Sequence, residues 1–183
     1  MYMNEQLQFA LRYLLHPFRN ASITPSSAFA ARAMIAGIDF SNIEVVVELG
    51  PGTGVFTEEI LKHCKPETKI ILIELEESYV TLLRGKFGKR VIVEQGSAHL
   101  IEAIVAKHTD KKVGLIVSGL PVYLPVIKDA LLVSIKRYTD AGTRYRFFSY
   151  VPPLVAREYR GLPIRKLSFV FRNFPPLWVY GIN

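Results

Sequence analysis

Cysteine is nearly absent. The single one, Cys64, has no partner for an intrachain disulfide, and no Cys and His residues cluster at the spacing a zinc ion needs. Long apolar runs are missing as well. Nothing approaches the roughly eighteen consecutive apolar residues of a membrane span, and Glu5 and Gln6 stand where a signal peptide would be basic and then unbrokenly apolar. These absences predict a metal-free, cytoplasmic protein that is neither exported nor integral to a membrane. Internal repeats, low-complexity tracts and Gly-, Ser- or Pro-rich linkers are also lacking, so residues 1–183, half of them apolar, read as one domain.

Acidic residues are the minority charge, 16 against 23 Lys and Arg, which leaves a formal net charge of +7. A cationic protein is drawn to polyanions, either nucleic acid or an anionic membrane surface. The excess is concentrated late in the chain. From Asp140 onward, Arg144, Arg146, Arg157, Arg160, Arg165, Lys166 and Arg172 face only Asp140 and Glu158.

What is present begins with two helical patterns in residues 1–40. Met3, Leu7, Leu11, Leu14 and Leu15 recur at helical spacing, joined by Phe9 and Tyr13, and Pro17 ends this amphipathic helix. Thr24-Pro25-Ser26-Ser27 supplies a cap with proline at the first helical position, ahead of a second helix to about Gly37. From Glu44 the pattern changes to short β-branched runs alternating with longer helical stretches, the signature of βαβ units. Strands are expected at 44–49, 70–75, 91–94, 113–118 and 144–151, with helices near 55–63, 78–87, 98–108 and 122–138. After Val151 two apolar-aromatic runs, 166–171 and 177–182, are joined by Asn173-Phe174-Pro175-Pro176. With no room for a helix between them, they must pair antiparallel. A mostly parallel seven-stranded α/β sheet closed by an antiparallel C-terminal hairpin, preceded by amphipathic helices, resembles the Rossmann-like class I methyltransferase fold.

The first strand delivers the chain into Glu48-Leu49-Gly50-Pro51-Gly52-Thr53-Gly54. Glycines let backbone approach a ligand closely. A nicotinamide fingerprint would put its third glycine at Val55. Glycine at Gly54, with Glu48 two residues before Gly50, resembles instead motif I of S-adenosylmethionine methyltransferases, where a carboxylate faces the cationic methionine end of the cofactor. Glu74 ends the second strand twenty residues after Gly54, near the interval at which α/β nucleotide folds place an acid on ribose hydroxyls. Leu75 would then cover the adenine. Gly96-Ser97-Ala98 occupies the third strand end, where the resemblance implies an acid or amide for the adenine amino group.

The fourth strand opens into Ser118-Gly119-Leu120-Pro121-Val122-Tyr123 at the carboxyl edge of the sheet, where such folds bind ligands. Methyl transfer is an in-line displacement that requires a positioned lone pair and exclusion of water. Adenine dimethylases carry Asn-(Leu/Ile)-Pro-(Tyr/Phe) here; this chain has serine and glycine before Leu120-Pro121, and its aromatic arrives one place late. Taken with Thr24-Pro25-Ser26-Ser27, the glycine loop and the ending Arg172 to Tyr180, nearly the whole chain resembles bacterial phospholipid N-methyltransferases, which convert phosphatidylethanolamine to phosphatidylcholine. The resemblance implies an aminophospholipid substrate, S-adenosylmethionine as donor, and an N-terminal helix on the anionic inner face of the cytoplasmic membrane. It departs from that family at Ser97 and at Ala141-Gly142, which lacks a double glycine. The methyl-transfer site is expected at Ser118, Gly119, Leu120, Pro121 and Tyr123. Glu48, Gly50, Gly52, Thr53, Gly54, Glu74, Leu75, Gly96, Ser97, Ala98 and Ser118 are expected at the cofactor. Leu7, Leu11, Tyr13, Arg19, Thr24, Ser26, Tyr150 and Arg172 are expected at the lipid, where aromatic faces attract quaternary ammonium and an arginine meets phosphate. An ornithine-type aminolipid is an alternative substrate. The rivals are an RNA adenine N6-methyltransferase and a non-catalytic module that keeps the cofactor fold; neither a nucleic-acid nor a protein partner is the leading expectation.

Overall fold

The computed structural model describes residues 25–120 and 128–183, with side chains from Ala28 onward. Helix α1 (Pro25–Ile35) precedes the alternating units: β1 (Val45–Leu49), α2 (Val55–His63), β2 (Lys69–Glu74), α3 (Glu77–Phe87), β3 (Ile92–Gln95), α4 (Ile101–His108), β4 (Val113–Ser118), α5 (Lys128–Asp140) and β5 (Arg144–Ser149). A short helix α6 (Pro152–Glu158) then leads to the hairpin of β6 (Arg165–Val170) and β7 (Leu177–Ile182). The seven strands form one sheet in the order β3-β2-β1-β4-β5-β7-β6. The first five run parallel, and β7 is antiparallel to both β5 and β6.

Burial on both faces explains the β-branched runs. All of β1 is buried, and its alternation sends Val45, Val47 and Leu49 into the core under α4 and α5, while Val46 enters the core under α1, α2 and α3. Ile60 of α2 is wholly buried in that second core. One such side chain contributes about 1.5–3 kcal/mol. By the same alternation Glu48 points toward α2, which puts a carboxylate inside an otherwise apolar layer.

Two expectations need correction. The fifth strand stops at Ser149, short of Val151, and a helix follows that the sequence pattern does not announce. Pro152 and Pro153 open α6 at its first two positions, where a missing N–H is harmless, so a dipeptide that reads as a breaker is here a start. The helix expected over 98–108 begins as a single 3-10 turn at Ala98–Leu100 before α4 proper. The first amphipathic helix, the start of the helix expected at 122, Pro121 and Tyr123 lie outside the described residues. No helix among the described residues is long and apolar enough to cross a membrane.

Candidate active site at the carboxyl edge of the sheet

The strand order reverses between β1 and β4, and the carboxyl ends on either side of that point are tied together by backbone. Gly50 N–H donates to the Ile73 carbonyl (2.9 Å), Gly96 N–H to the Glu74 carbonyl (2.9 Å) and Gly119 N–H to the Leu49 carbonyl (2.8 Å). One row of hydrogen bonds therefore links the loops after four strands. This is the crevice in which open α/β sheets bind ligands.

Packing forces glycine at two of these positions. A Cβ on Gly119 would stand 2.6 Å from the Gly50 carbonyl oxygen, a backbone atom that cannot move aside. Gly50 has φ +64°, and a Cβ there would meet Leu120 Cδ2 at 2.5 Å. Gly52 differs: its φ is +54°, yet nothing lies within 4 Å of where its Cβ would be. The open space above Gly52 is the part of the loop available to a ligand, and the loop runs directly into the N-terminus of α2, which favours a carboxylate.

Glu74, expected at the ribose, is tied to the backbone of the loop. It is buried, and its Oε2 accepts the Gly52 N–H at 3.0 Å, while Oε1 accepts the N–H groups of Leu75 (2.8 Å) and Glu76 (3.0 Å). An ionised carboxylate offers about four acceptor positions. Two are filled on Oε1 and one on Oε2, so the expectation of one hydroxyl on each oxygen is corrected to capacity on Oε2 alone. Glu74 holds the glycine loop in shape from the neighbouring strand. Leu75 follows it with 69% of its surface exposed, an uncovered apolar face beside the position expected for adenine.

Glu48 is wholly buried beneath the loop, and Thr57 Oγ1 donates to its Oε2 at 2.6 Å. Its Oε1 has no hydrogen-bond partner among the described residues. Burial pushes the carboxyl up to about 7; Thr57 and, further off, Lys86 oppose the rise, and the Glu74 carboxylate adds to it. The carboxyl expected to face the cationic methionine end thus lies buried between the sheet and α2, with one oxygen tied to Thr57 and the other unpartnered among the described residues. An orphaned carboxylate oxygen below and an open cradle at Gly52 above both fit S-adenosylmethionine.

Elsewhere the expected residues divide. Ser97 Oγ is hydrogen-bonded to His99 Nδ1 (2.8 Å), so the third strand end, where an acid or amide is expected, carries a serine–histidine pair. His99 had no signal in the sequence, because this pairing depends on a two-residue turn. Ala98 is buried under this turn. Ser118 is also buried, its hydroxyl accepting the Leu120 N–H at 3.3 Å. Its side chain is thus committed to the fold, and what the β4 loop can offer a substrate is backbone.

Across the crevice, Tyr150 and Phe148 at the end of β5 meet edge to face (5.6 Å) and line a cavity of about 160 Å3. Pro51 and Thr53 of the glycine loop, Phe56 and Asn173 are also part of its wall. Thr53 also fixes the loop from the other side, its carbonyl accepting from Lys86 Nζ at 2.8 Å. A larger cavity, about 510 Å3, lies between α6 and the β6–β7 hairpin, lined by Tyr159, Tyr180 and Lys166 among others, but none of the glycine-loop residues borders it. Arg172 is exposed with its guanidinium over the rings of Phe29 (5.2 Å) and Phe171 (5.7 Å). Arg146, counted in the positive excess, is corrected: it is buried and donates to the carbonyls of Tyr145, Ile182 and Asn183, so its guanidinium is not a surface contact for a polyanion. Leu7, Leu11, Tyr13, Arg19 and Thr24 fall outside the described residues, and of Ser26 only its backbone position in α1 is described.

No protein-family model matches the chain. An ornithine lipid N-methyltransferase from Singulisphaera acidiphila is 29% identical over 184 residues, covering 97% of this chain and 95% of that protein. A ribosomal RNA small subunit methyltransferase A from Staphylococcus carnosus is 28% identical over 95 residues, 48% of this chain and only 31% of its own length. Among solved structures, the O-methyltransferase from Bacillus cereus bound to SAH matches the whole chain and 93% of its own (TM-score 0.62, 11% identity). TrmN from Thermus thermophilus matches 93% of this chain (TM-score 0.62, 17% identity), which spans about half of that protein. The fold is that of the class I S-adenosylmethionine-dependent methyltransferases.

Proposed function

We propose that this S-adenosylmethionine-dependent methyltransferase transfers methyl groups to the primary amine of a membrane aminolipid, an ornithine-type lipid ahead of phosphatidylethanolamine. The observation that carries the reading is the end-to-end likeness to an ornithine lipid N-methyltransferase, set against a ribosomal RNA relative that matches only half the chain. The site supports it. Ser118-Gly119 replaces the amide that grips a flat base edge, and the Ser118 hydroxyl is turned into the core. An aliphatic amine needs no such grip, only carbonyl acceptors and a hydrophobic wall.

S-adenosylmethionine, when bound, supplies a methyl carbon made electrophilic by its sulfonium. The chain's own residues hold and shield it. Glu74 and the Gly50–Gly54 loop form the cradle, Ser97 and His99 present polar atoms at the adenine edge, and Leu75 offers apolar cover. Phe148, Tyr150 and Phe56 wall the opposite side of the cavity and exclude water, and their faces favour the cationic product amine. The amine must be neutral to attack, and no His, Asp or Glu lies between Ser118 and Tyr123 to take its proton. Solvent, or a backbone carbonyl of that loop relaying to it, is the acceptor, so the rate rises with pH until the amine's own pKa is passed.

The test is methylation of vesicles containing ornithine lipid or phosphatidylethanolamine, with structured RNA in parallel, read by mass spectrometry as mono-, di- and trimethylated products. Methylated ornithine lipid formed faster than methylated phosphatidylethanolamine is expected. Label in RNA and never in lipid overturns the proposal.

A further inference from the structure

Folding leaves an aromatic patch uncovered at the same edge of the sheet as the cavity. β6 and β5 are both antiparallel to β7, so they run in the same direction, and the turn after β6 emerges beside Tyr150 and the glycine loop. At that turn Phe171 is 68% and Phe174 74% exposed, with Phe169 and Leu167 also exposed further back along β6. The exposure does not come from a loosely held turn. Asn173, between the two rings, is buried, its side-chain amide donating to the Pro175 carbonyl (2.7 Å) and its backbone N–H to the Val170 carbonyl (3.3 Å). The same residue lines the cavity. The turn is fixed from within while its aromatic rings face outward, and contiguous exposed rings of this kind mark a binding surface.

The charge around the rings identifies the partner. Arg172 lies over Phe29 and Phe171, and Arg32 lies over the Phe29 ring at 4.8 Å. Both arginines are exposed, and among the described residues neither makes an ion pair. Arg165 and Lys166 extend the positive charge along β6, and neither α1 nor residues 159–183 contain an acidic residue. Aromatic side chains at the tip with unpaired cations just behind them are the composition of an element that sits in the headgroup region of an anionic bilayer.

We propose that the β6–β7 turn is the membrane-docking element of this protein. Phe171 and Phe174 enter the boundary between headgroups and acyl chains, Arg32 and Arg172 stay at the level of the phosphates, and the cavity beside Tyr150 is held over the lipid headgroups. The assignment rests on the aminolipid reading and gives that substrate its route into the site.

The experiment uses the full chain, sedimented with vesicles of phosphatidylcholine alone or mixed with phosphatidylglycerol. Wild type is expected to prefer the anionic vesicles. The Phe171→Ser/Phe174→Ser variant should lose affinity on the order of tenfold for each ring kept in water. Arg32→Gln/Arg172→Gln should lose the salt-sensitive part of the binding. The ring variant should keep wild-type affinity for S-adenosylmethionine by calorimetry, and its KM should rise on vesicles while kcat on detergent-dispersed aminolipid stays unchanged. A folded ring variant that sediments like wild type overturns the proposal, because the rings are then covered by residues 1–24 or idle. So does a wild-type dimer that the ring substitutions dissociate without changing vesicle binding. Ring-dependent vesicle binding in a protein that methylates no lipid would uphold the docking element and bring down the substrate reading alone.

Discussion

The two parts of the sheet are built to different rules. In the part formed by β3, β2, β1 and β4, the three inner strands are buried almost end to end, and the loops after the strands are locked to one another by backbone hydrogen bonds. At the other end, β6 exposes four of its six residues and, among the described residues, pairs with β7 alone. The first part is a fixed mould for a cofactor that never varies. The second is an edge that leaves apolar side chains in solvent, as the proposed docking element requires.

Substitutions should fall on the two parts unequally, and the largest effect belongs to the mould. Gly119→Ala would drive a Cβ against the Gly50 carbonyl, and the loop must shift to admit it. We expect a loss of about 1–3 kcal/mol in thermal unfolding, as for other overpacked sites, together with S-adenosylmethionine binding too weak for calorimetry. Wild-type affinity in this variant would mean that the mould is softer than its hydrogen bonds imply.

Next comes Glu74→Gln, which keeps the shape but leaves one oxygen to serve three N–H groups. An unsatisfied buried donor costs about 1–3 kcal/mol. Cofactor affinity should drop by about tenfold or more, with the far edge of the sheet unaffected in hydrogen exchange.

The effect of Glu48 shows as a pH dependence and not as a loss at one pH. Its carboxyl is raised in the folded chain to about 7 from an ordinary value of 4.5. Between those values the folded state holds a proton that the unfolded state has released. Stability from this group is full below about 4.5 and is lost as pH rises toward 7, at roughly 1.4 kcal/mol per pH unit. A cation bound above the loop favours the ionised form, so S-adenosylmethionine affinity should increase as pH rises through about 7. Glu48→Gln should flatten both curves, and urea melts and calorimetry across this range check it.

The smallest effect is expected at the edge. Phe174→Ala removes a side chain that is mostly in solvent, so stability should change by less than about 0.5 kcal/mol. A larger loss in thermal unfolding would show that the edge, too, is a packed element and erase the contrast.

The same contrast decides what could be read from sequence. The β-branched run ending at Glu48, the glycine spacing and the interval to Glu74 are local signals, and they placed the mould with its neighbours. The apolar-aromatic runs 166–171 and 177–182, with no room for a helix between them, announced a hairpin in the same way. Three features left no such mark. Glu74 gives up most of its acceptor capacity to backbone N–H groups, a donor type that no side-chain spacing reveals. Arg146 counts as surface charge until the carbonyls of Ile182 and Asn183 close around it. The Pro152-Pro153 pair resembles a break until the turn before it shows that a helix starts there.

The strand order also bears on how the chain is made. β7 leaves the ribosome after β6 and yet lies inside it, between β5 and β6. While synthesis is at β6, β5 is an open edge with unpaired backbone, and the strand that will end up outermost has nothing to pair with. Such an interval invites pairing with other chains. It ends only when β7 slides into the gap and Arg146 takes hold of its last carbonyls. A nascent chain paused between the two strands should therefore depend on chaperones far more than the finished protein does.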